Sequence, residues 1–320
     1  MKKTAFSISL AVLTLAGAAD AQEKVMVGEP SWPGARIMSR IIGQVIETRL
    51  GSEIDYAPGA NAVIFAAMDG GRGDIDVHPD VWLPNQASFT NEYVDEKGTV
   101  ALSEGSYEGG TGLCMPSYMT EEHGIASVFD LATPMAQDLF DGNGDGKGEV
   151  WVGASGWAST NVNLVKVRDY GIATFLEPTT EDEAVFYARL KDAIEAKEGV
   201  AFYCYAPHYV HALYDVTFVE EPEFDANQYN MVQPDQDADW FNKSSIMTGD
   251  QVKTVKVAYS KSLEERNPAA AEFLRRIDMD AGDLSELTYH TVILGEDMDA
   301  AVAAWLDENT ETVDAWLGLN

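Results

Sequence analysis

The sequence predicts an α/β protein with two domains, one inserted into the other. Apolar segments of strand length alternate with segments of helical periodicity between residues 24 and 78, which is typical of strand–helix–strand units and a parallel sheet. The 320 residues are enough chain for two hydrophobic cores of ordinary size. A glycine cluster at 109–112 then marks a crossover into a second domain, and a return crossover would create a hinge and a cleft.

The first 21 residues have the pattern of an export signal. Lys2 and Lys3 give a positive start, residues 5–15 form an apolar core, and residues 19–21 form a small-x-small cleavage site. The apolar core is shorter than the roughly 20 residues that a membrane span needs. We therefore expect a mature chain that begins near Gln22 and resides in a periplasm.

The formal net charge of −32 is extreme. Such a charge argues against binding to nucleic acid or to an anionic membrane, and it favours a soluble protein with a solvated acidic surface. It gives weak support to a cationic ligand. The two cysteines, Cys114 and Cys204, would meet an oxidising compartment after export, but the sequence leaves their pairing open because it does not fix the distance between them.

The first elements place two tryptophans at the rim of the predicted sheet. We expect strands at 24–29, 52–56 and 73–78, and helices at 35–50, where Gly51 supplies the stop, and at 60–68. Ligands of such sheets bind beyond the carboxyl ends of the strands. Trp32 follows the first strand and Trp82 follows the third, so both are expected at the ligand-facing rim.

The remaining chain predicts further helices and strands around a second aromatic cluster. Helices are expected at 127–139, at 160–167 after Trp157, and at 180–197 with Thr180 as N-cap. A buried strand at 199–205 ends in aromatic residues at 206–209. Strands at 215–219 and 252–259, a helix at 267–277 and an amphipathic helix at 298–317 complete the chain. Trp151, Trp305 and Trp316 are expected to be structural, and the place of Trp240 stays open.

A loop between residues 141 and 149 has the spacing of a calcium loop. Asp141, Asn143, Asp145 and Glu149 stand at ligand positions 1, 3, 5 and 9, and the Lys147 carbonyl stands at position 7. The glycines between them permit a tight wrap, although position 12 lacks the glutamate of an EF-hand. We expect a structural calcium ion that stiffens the loop; the alternative is a solvated acidic turn without metal.

Five segments, together with an acidic, tryptophan-containing C-terminal helix, match a known family. They are DVHPDVWLP at 76–84, LFDGNGDGK at 139–147, SGW at 155–157, FYCYAPHY at 202–209 and NPAAA at 267–271. With these segments in the family's order, the chain resembles the glycine betaine/proline betaine substrate-binding proteins of ABC importers, a cluster of type II periplasmic binding proteins.

The resemblance implies a two-lobed fold with the ligand in the interdomain cleft. Lobe 1 would comprise residues 23–112 and 213–320, and lobe 2 residues 113–212. The family binds a quaternary ammonium group in a cage of aromatic rings. By position, the cage members are Trp82, Trp157 and Tyr205, with Trp32 as a further wall and His208 as the contact to the ligand's carboxylate.

One cage position departs from the family pattern. The family usually has a tryptophan where Tyr205 stands, so glycine betaine, trimethylamine N-oxide and choline remain alternative cargoes. The chemistry suits all of them, because a methylated ammonium offers no N–H and is best held by ring faces, at about 0.5–2 kcal/mol per ring. Micromolar affinity needs about −8 kcal/mol, so donors for the oxygen end are also expected, from His208 or from backbone N–H groups at 156–158.

We expect the protein to capture the ligand and deliver it to ABC permease subunits in the inner membrane. It is expected to be a monomer and to need no cofactor other than the calcium ion. A sensory module with the same cage is the rival from another class. Enzymatic activity is not expected, since the sequence has no nucleophile elbow, P-loop or dinucleotide motif. His208 and His211 have the spacing of a zinc pair but no third ligand nearby.

Overall fold

The computed structural model describes residues 23–319, and the expected export signal at 1–21 lies outside them. A mixed sheet of ten strands runs through this part of the chain in the order β2-β1-β3-β12-β5-β8-β6-β7, with β4 beside β12 and β9 beside β5, while β10 and β11 form a separate pair. The strands are β1 (Val25–Glu29), β2 (Ile54–Pro58), β3 (Val77–Leu83), β4 (Val100–Leu102), β5 (Tyr107–Pro116), β6 (Gly148–Trp151), β7 (Leu176–Thr179), β8 (Ala201–Ala206), β9 (Val216–Phe218), β10 (Tyr229–Asn230), β11 (Ser245–Ile246) and β12 (Lys253–Ser260).

Helices pack against the sheet. Three of them continue into a wider helical turn, at Ile46–Leu50, Asn91–Glu96 and Tyr289–Ile293, and short 3₁₀ turns occur at Ile172–Thr174 and Ala226–Gln228. The helices are α1 (Pro33–Val45), α2 (Asn61–Gly70), α3 (Ala87–Thr90), α4 (Tyr118–His123), α5 (Pro134–Leu139), α6 (Ala158–Asp169), α7 (Glu183–Ala196), α8 (Val210–Leu213), α9 (Trp240–Lys243), α10 (Leu263–Arg266), α11 (Pro268–Arg276), α12 (Ala281–Thr288), α13 (Met298–Glu308) and α14 (Thr310–Trp316).

Strand β5 belongs to both halves of the sheet. Its first residues, 107–109, pair with β12, whereas 110–114 pair with β8. On one side lie β1, β2 and β3 in parallel, and on the other β6, β7 and β8 in parallel. The expected parallel units are thus present, but β12 and β5 insert antiparallel between them, so the whole sheet is mixed.

The first helix illustrates how sequence sets the local structure. Pro33 occupies the first turn of α1, where its missing N–H is not needed. Ile37, Ile41 and Val45 follow at helical spacing and are fully buried against the sheet. Gly51 has a φ of 73° and ends the helical segment after Leu50, as predicted.

Three predicted helices differ in the structure. The segment 127–139 is helical only in α5, because Asp130 accepts hydrogen bonds from the backbone N–H groups of residues 126 and 127 and forms a turn before Pro134. Helix α7 begins at Glu183 after Asp182, so Thr180 is not its N-cap. The predicted helix at 298–317 is divided at Asn309 into α13 and α14.

The two cysteines form a disulfide, which answers the question that the sequence left open. Cys114 lies on β5 and Cys204 on β8, and their Cα atoms are 5.7 Å apart. The two strands are hydrogen-bonded neighbours, with Gly112 opposite Cys204. Within the described part of the chain, no helix has the length and apolar character to cross a membrane.

The segment after β8 packs on the second half of the sheet. Strand β9 pairs with residues 114–116 of β5. Ile246 lies in an apolar cluster with Val162 and Val165 of α6, where Trp240 also packs. We predicted a return to lobe 1 at residue 213. From these contacts we propose instead that the chain returns near Lys253, where β12 begins.

Candidate ligand-binding site

Four predicted aromatic residues meet in one pocket between the two halves of the sheet. Trp32 precedes α1, Trp82 is on β3, Trp157 immediately precedes α6, and Tyr205 is on β8. Each side chain is between 4% and 8% exposed, so the rings are buried but accessible from the pocket. The residues that line it are Trp32, Asn61, Trp82, Asn85, Gln86, Trp157, Ala158, Ser159, Tyr203 and Tyr205.

Neighbouring rings lie nearly perpendicular to one another. We call the four rings of Trp32, Trp82, Trp157 and Tyr205 the aromatic box. The centroids of Trp32 and Trp157 are 5.9 Å apart with an interplanar angle of 81°. Trp82 and Tyr205 are 5.6 Å apart at 81°, and Trp157 and Tyr205 are 6.2 Å apart at 84°. Edge-to-face contacts are favourable for the rings, and they leave ring faces directed at the enclosed space.

Tyr203 is a fifth ring of this pocket that the sequence analysis missed. It stands two residues before Tyr205 on β8, and the two rings stack with centroids 5.9 Å apart. Side chains at i and i+2 of a strand point to the same face, so this spacing was a usable signal. Trp151, expected to be structural, is 1% exposed, and its ring centroid lies 6.1 Å from that of Trp157. The expected core residues Trp305 and Trp316 stack on each other far along the chain.

The backbone at the crossover approaches the cage closely. A Cβ atom at Gly109 would lie 2.5 Å from Cζ3 of Trp82, so only glycine fits there without displacement of the ring. Across the cleft, the indole N–H of Trp157 donates to the Ser31 hydroxyl at 3.0 Å. Gln233 bridges both sides, because its amide donates to the carbonyls of Asn85 and Ala158.

A buried carboxylate, Asp80, lies behind two of the cage rings. Its Oδ2 accepts hydrogen bonds from the indole N–H groups of Trp32 and Trp82, and its Oδ1 accepts one from the Tyr107 hydroxyl. Burial raises the pKa of Asp80, and the three donors oppose that rise because they stabilise the ionised form. Asp80 therefore fixes the orientation of two cage walls.

A second buried carboxylate, Glu183 at the start of α7, holds Tyr205. Its Oε1 accepts the Tyr205 hydroxyl at 2.8 Å and faces Nε2 of His208 at 3.0 Å. Burial and the nearby Glu183 raise the pKa of Tyr205 well above its usual value, so the hydroxyl remains protonated and can donate. Oε2 of Glu183 is buried and has no hydrogen-bond partner among the described residues.

His208 is not among the residues that line the pocket, and its predicted contact with the ligand's carboxylate stays a prediction. Its Nδ1 accepts the backbone N–H of Val210 at 3.1 Å, so Nε2 carries the proton and donates to Glu183. Both ring nitrogens are thus used inside the fold, behind the Tyr205 ring. His211 instead bonds the Tyr205 carbonyl through Nε2 at 3.0 Å.

Neutral polar groups lie beside the rings. Helix α6 begins at Ala158, and no side chain caps the N–H groups of its first turn. Asn61 receives the Nε2–H of His78 on its Oδ1 at 3.0 Å, which leaves its amide N–H groups free to donate. Gln86 is 3% exposed, and its Oε1 has no partner in the described part of the chain.

A network of four buried charges lies beside the pocket. Lys166 contacts Glu221 at 2.8 Å and Asp250 at 3.0 Å, and Lys253 contacts Asp250 at 3.0 Å and the pocket residue Asn85 at 3.0 Å. Burial alone would raise the pKa of Asp250, but the two lysines outweigh it and lower that pKa to about 2. The two positive and two negative charges neutralise one another, so the network adds no net charge to the site.

The predicted calcium loop uses its oxygens internally. Asp141 accepts the backbone N–H groups of residues 144, 145 and 146, and Asn143 donates to Asp145 and Glu149. Lys147 donates its backbone N–H to Asp145. Across residues 23–319, no three His, Cys, Asp or Glu side chains are grouped to hold a metal ion. Calcium binding by this loop stays a prediction.

Comparison with known proteins assigns the chain to a family. The family described as the substrate binding domain of ABC-type glycine betaine transport systems matches residues 23–308. Among curated relatives, the glycine betaine/proline betaine-binding periplasmic protein of Escherichia coli is 24% identical over 279 residues, covering 83% of this chain and 79% of that protein. The counterpart from Salmonella typhimurium is also 24% identical, over 282 residues, with the same coverage of 83% and 79%.

Solved structures share the fold. A choline-binding protein of an ABC transporter in complex with choline superposes with a TM-score of 0.71 at 18% identity, covering 92% of this chain and 91% of that one. Lactococcal OpuAC in its closed conformation with glycine betaine superposes with a TM-score of 0.68 at 17% identity, covering 92% of this chain and 99% of that one. The fold is therefore the two-lobed type II periplasmic binding protein fold. This chain belongs to the family of substrate-binding domains of ABC-type glycine betaine transport systems, whose members bind transport substrates and are not enzymes.

Proposed function

We propose that this protein captures a methylated ammonium osmolyte of the glycine betaine class in the periplasm and delivers it to an ABC permease. The observation that carries the proposal is the box formed by Trp32, Trp82, Trp157 and Tyr205, with neighbouring rings 5.6–6.2 Å apart and nearly perpendicular. Permease subunits as partners follow from the family.

The physics of the box matches a trimethylammonium group. Such a group spreads its positive charge over methyl groups and has no N–H, so ring faces bind it better than hydrogen-bond acceptors do. Four desolvated rings supply about 2–8 kcal/mol before the entropic cost of binding. The remainder has to come from the oxygen end of the ligand, for which the N–H groups at the start of α6 and the amide of Asn61 are placed.

Choline and trimethylamine N-oxide are the second candidate cargoes. The pocket lining contains no lysine or arginine among the described residues, so a ligand carboxylate would meet neutral donors only. A hydroxyl or an N-oxide oxygen would find the same donors. With Tyr205 at a position where the resembling family usually has tryptophan, the residues alone favour none of the three over the others.

Titration calorimetry on the mature protein tests the proposal. The panel contains glycine betaine, proline betaine, choline, carnitine, dimethylsulfoniopropionate and trimethylamine N-oxide. We expect at least one dissociation constant in the micromolar range or below. Trp157→Ala should weaken that binding at least tenfold, because it removes one cage wall that two other rings contact.

Trp240→Ala is the matched control. Trp240 packs with Phe241 outside the pocket, so its loss should leave the dissociation constant within about twofold of the wild-type value. If no panel ligand binds the folded wild-type protein, or if the two variants lose affinity equally, the aromatic box is not the binding site and the proposal fails.

A further inference from the structure

We propose that Asp80 and Glu183 are the counter-charges of the bound cation, and that they act through the cage rings which they hold. This inference rests on the proposed function and deepens it, because it says what makes the site selective for a positive head group. Asp80 comes from β3 and Glu183 from α7, so each half of the protein contributes one carboxylate.

Three of the five side-chain contacts of the two carboxylates are made by cage rings. Asp80 bonds Trp32, Trp82 and Tyr107, and Tyr107 lies edge-on to Trp82 with the ring centroids 6.3 Å apart. Glu183 bonds Tyr205 and the neutral His208. Three of the four box rings therefore have their N–H or O–H edge on a buried carboxylate.

Neither carboxylate has a cationic partner among residues 23–319. The described lysine and arginine side chains make no salt bridge to either, and the only ionisable base in contact, His208, is a neutral donor. Both residues are at least 97% buried. An unpaired buried charge costs several kcal/mol, so a cation held in the pocket would stabilise the ionised form of both groups.

The two carboxylates also strengthen the cation–π attraction between the rings and a bound cation. An N–H or O–H donor that bonds a carboxylate is polarised, and the electron density of the ring's π system rises on both of its faces. A cation on one of these faces is then attracted by the ring and, at longer range through a low-dielectric interior, by the carboxylate behind it. The four-charge network around Lys166 and Lys253 is internally neutral and does not cancel this field.

Isosteric amides separate charge from ring positioning. In Asp80→Asn, the amide oxygen can accept both indole N–H groups and the amide nitrogen can donate to the Tyr107 hydroxyl, so every ring contact survives and only the charge is lost. In Glu183→Gln, the amide oxygen keeps Tyr205 and His208, and the nitrogen takes the place of the unpartnered Oε2. Asp80→Ala, which removes the contacts as well, serves as the reference for lost positioning.

The experiment measures charge selectivity. Each variant and the wild type are titrated with three pairs of ligands, and in each pair carbon replaces the charged nitrogen. The pairs are choline and 3,3-dimethylbutan-1-ol, trimethylamine N-oxide and tert-butanol, and glycine betaine and 3,3-dimethylbutanoate. Thermal unfolding is recorded in parallel. We expect each amide variant to bind the nitrogen ligand about tenfold more weakly and the carbon isostere within about twofold of wild type, with no loss of melting temperature.

Two outcomes would overturn the inference. One is a dissociation constant for the nitrogen ligand that stays within twofold of wild type in both Asp80→Asn and Glu183→Gln. The other is an equal loss for the nitrogen ligand and its carbon isostere, which would indicate a purely structural role. If one amide variant does not fold, the other decides. Failure of the wild type to bind any nitrogen ligand would instead refute the proposed function.

Discussion

His78 offers a quantitative test of how the floor of the pocket is built. The imidazole is fully buried, donates from Nε2 to Asn61 and accepts the backbone N–H of Asp80 on Nδ1 at 3.2 Å. Burial lowers the pKa of His78 to about 3, whereas an unfolded chain has a histidine pKa of about 6.5. Below pH 6.5 the unfolded state therefore binds a proton that the native state does not, and stability falls as the pH falls from 6.5 toward 3.

The magnitude follows from these two pKa values. At pH 7.5 His78 is neutral in both states and contributes almost nothing to the pH dependence. At pH 5.0 protonation of the unfolded state costs the native protein about 2 kcal/mol, since the group is about 1.5 pH units below its unfolded pKa and each unit is worth about 1.4 kcal/mol. Glutamine at this position can keep a donor and an acceptor but does not titrate.

The assay is urea unfolding of the wild type and His78→Gln at pH 7.5 and 5.0. The wild type should lose about 2 kcal/mol more than the variant between the two pH values, whatever the stability of the variant at pH 7.5. His290→Gln, at a partly exposed site, is the control and should follow the wild type. Equal losses in the wild type and His78→Gln would refute the reasoning, because His78 would then not be held neutral.

Three further substitutions test other contacts. Replacing Cys114 and Cys204 by serine opens a loop of 90 residues and should lower the free energy of unfolding by about 4–5 kcal/mol, measured in urea. Ser31→Ala removes the acceptor of the Trp157 indole and should weaken ligand binding about two- to tenfold in calorimetry, with little change in melting temperature. Asp250→Asn leaves two buried lysines without their shared carboxylate and should destabilise the protein by about 3–5 kcal/mol in thermal or urea unfolding.

Each of these expectations can fail clearly. Reduction of the wild-type disulfide should reproduce the serine variants, and unchanged stability in both would show that β5 and β8 need no covalent tie. Unchanged affinity in Ser31→Ala would mean that the Trp157 ring is held by packing alone. A fully stable Asp250→Asn would show that the buried lysines lose their charge or reach water.

Local sequence was sufficient to bring two of the pocket rings to one edge of the sheet. Trp32 follows β1, and Trp82, which was expected after the third strand, lies within β3 near its carboxyl end. Because β1 and β3 are parallel neighbours, both residues lie at the same edge. Asp80 could have been found by the same reasoning, since it precedes Trp82 by two residues on the same face of β3. The hydrogen bond from Tyr107 to Asp80 could not be found in this way, because Tyr107 lies on β5, which β12 connects to β3 in the sheet.

Other parts of the site have no local signal. Glu183 lies on α7, and its contact with Tyr205 depends on how that helix docks on β8. Lys166 and Lys253 would be assigned to the surface by their chemistry, and their burial depends on carboxylates brought in from distant segments. The hydrogen bonds of His208 have no local signal either, because the tautomer and direction of its ring are set by Val210 and Glu183 and not by the motif around it.

The shared strand β5 has a mechanical consequence. Its two ends are hydrogen-bonded into different halves of the sheet, so a relative rotation of the halves would act on the backbone between residues 109 and 110. Gly109 at that point lies against the Trp82 ring. A rotation at this point would therefore move the Trp82 ring, so that opening of the cleft would be coupled to release of a ligand held by the proposed aromatic box.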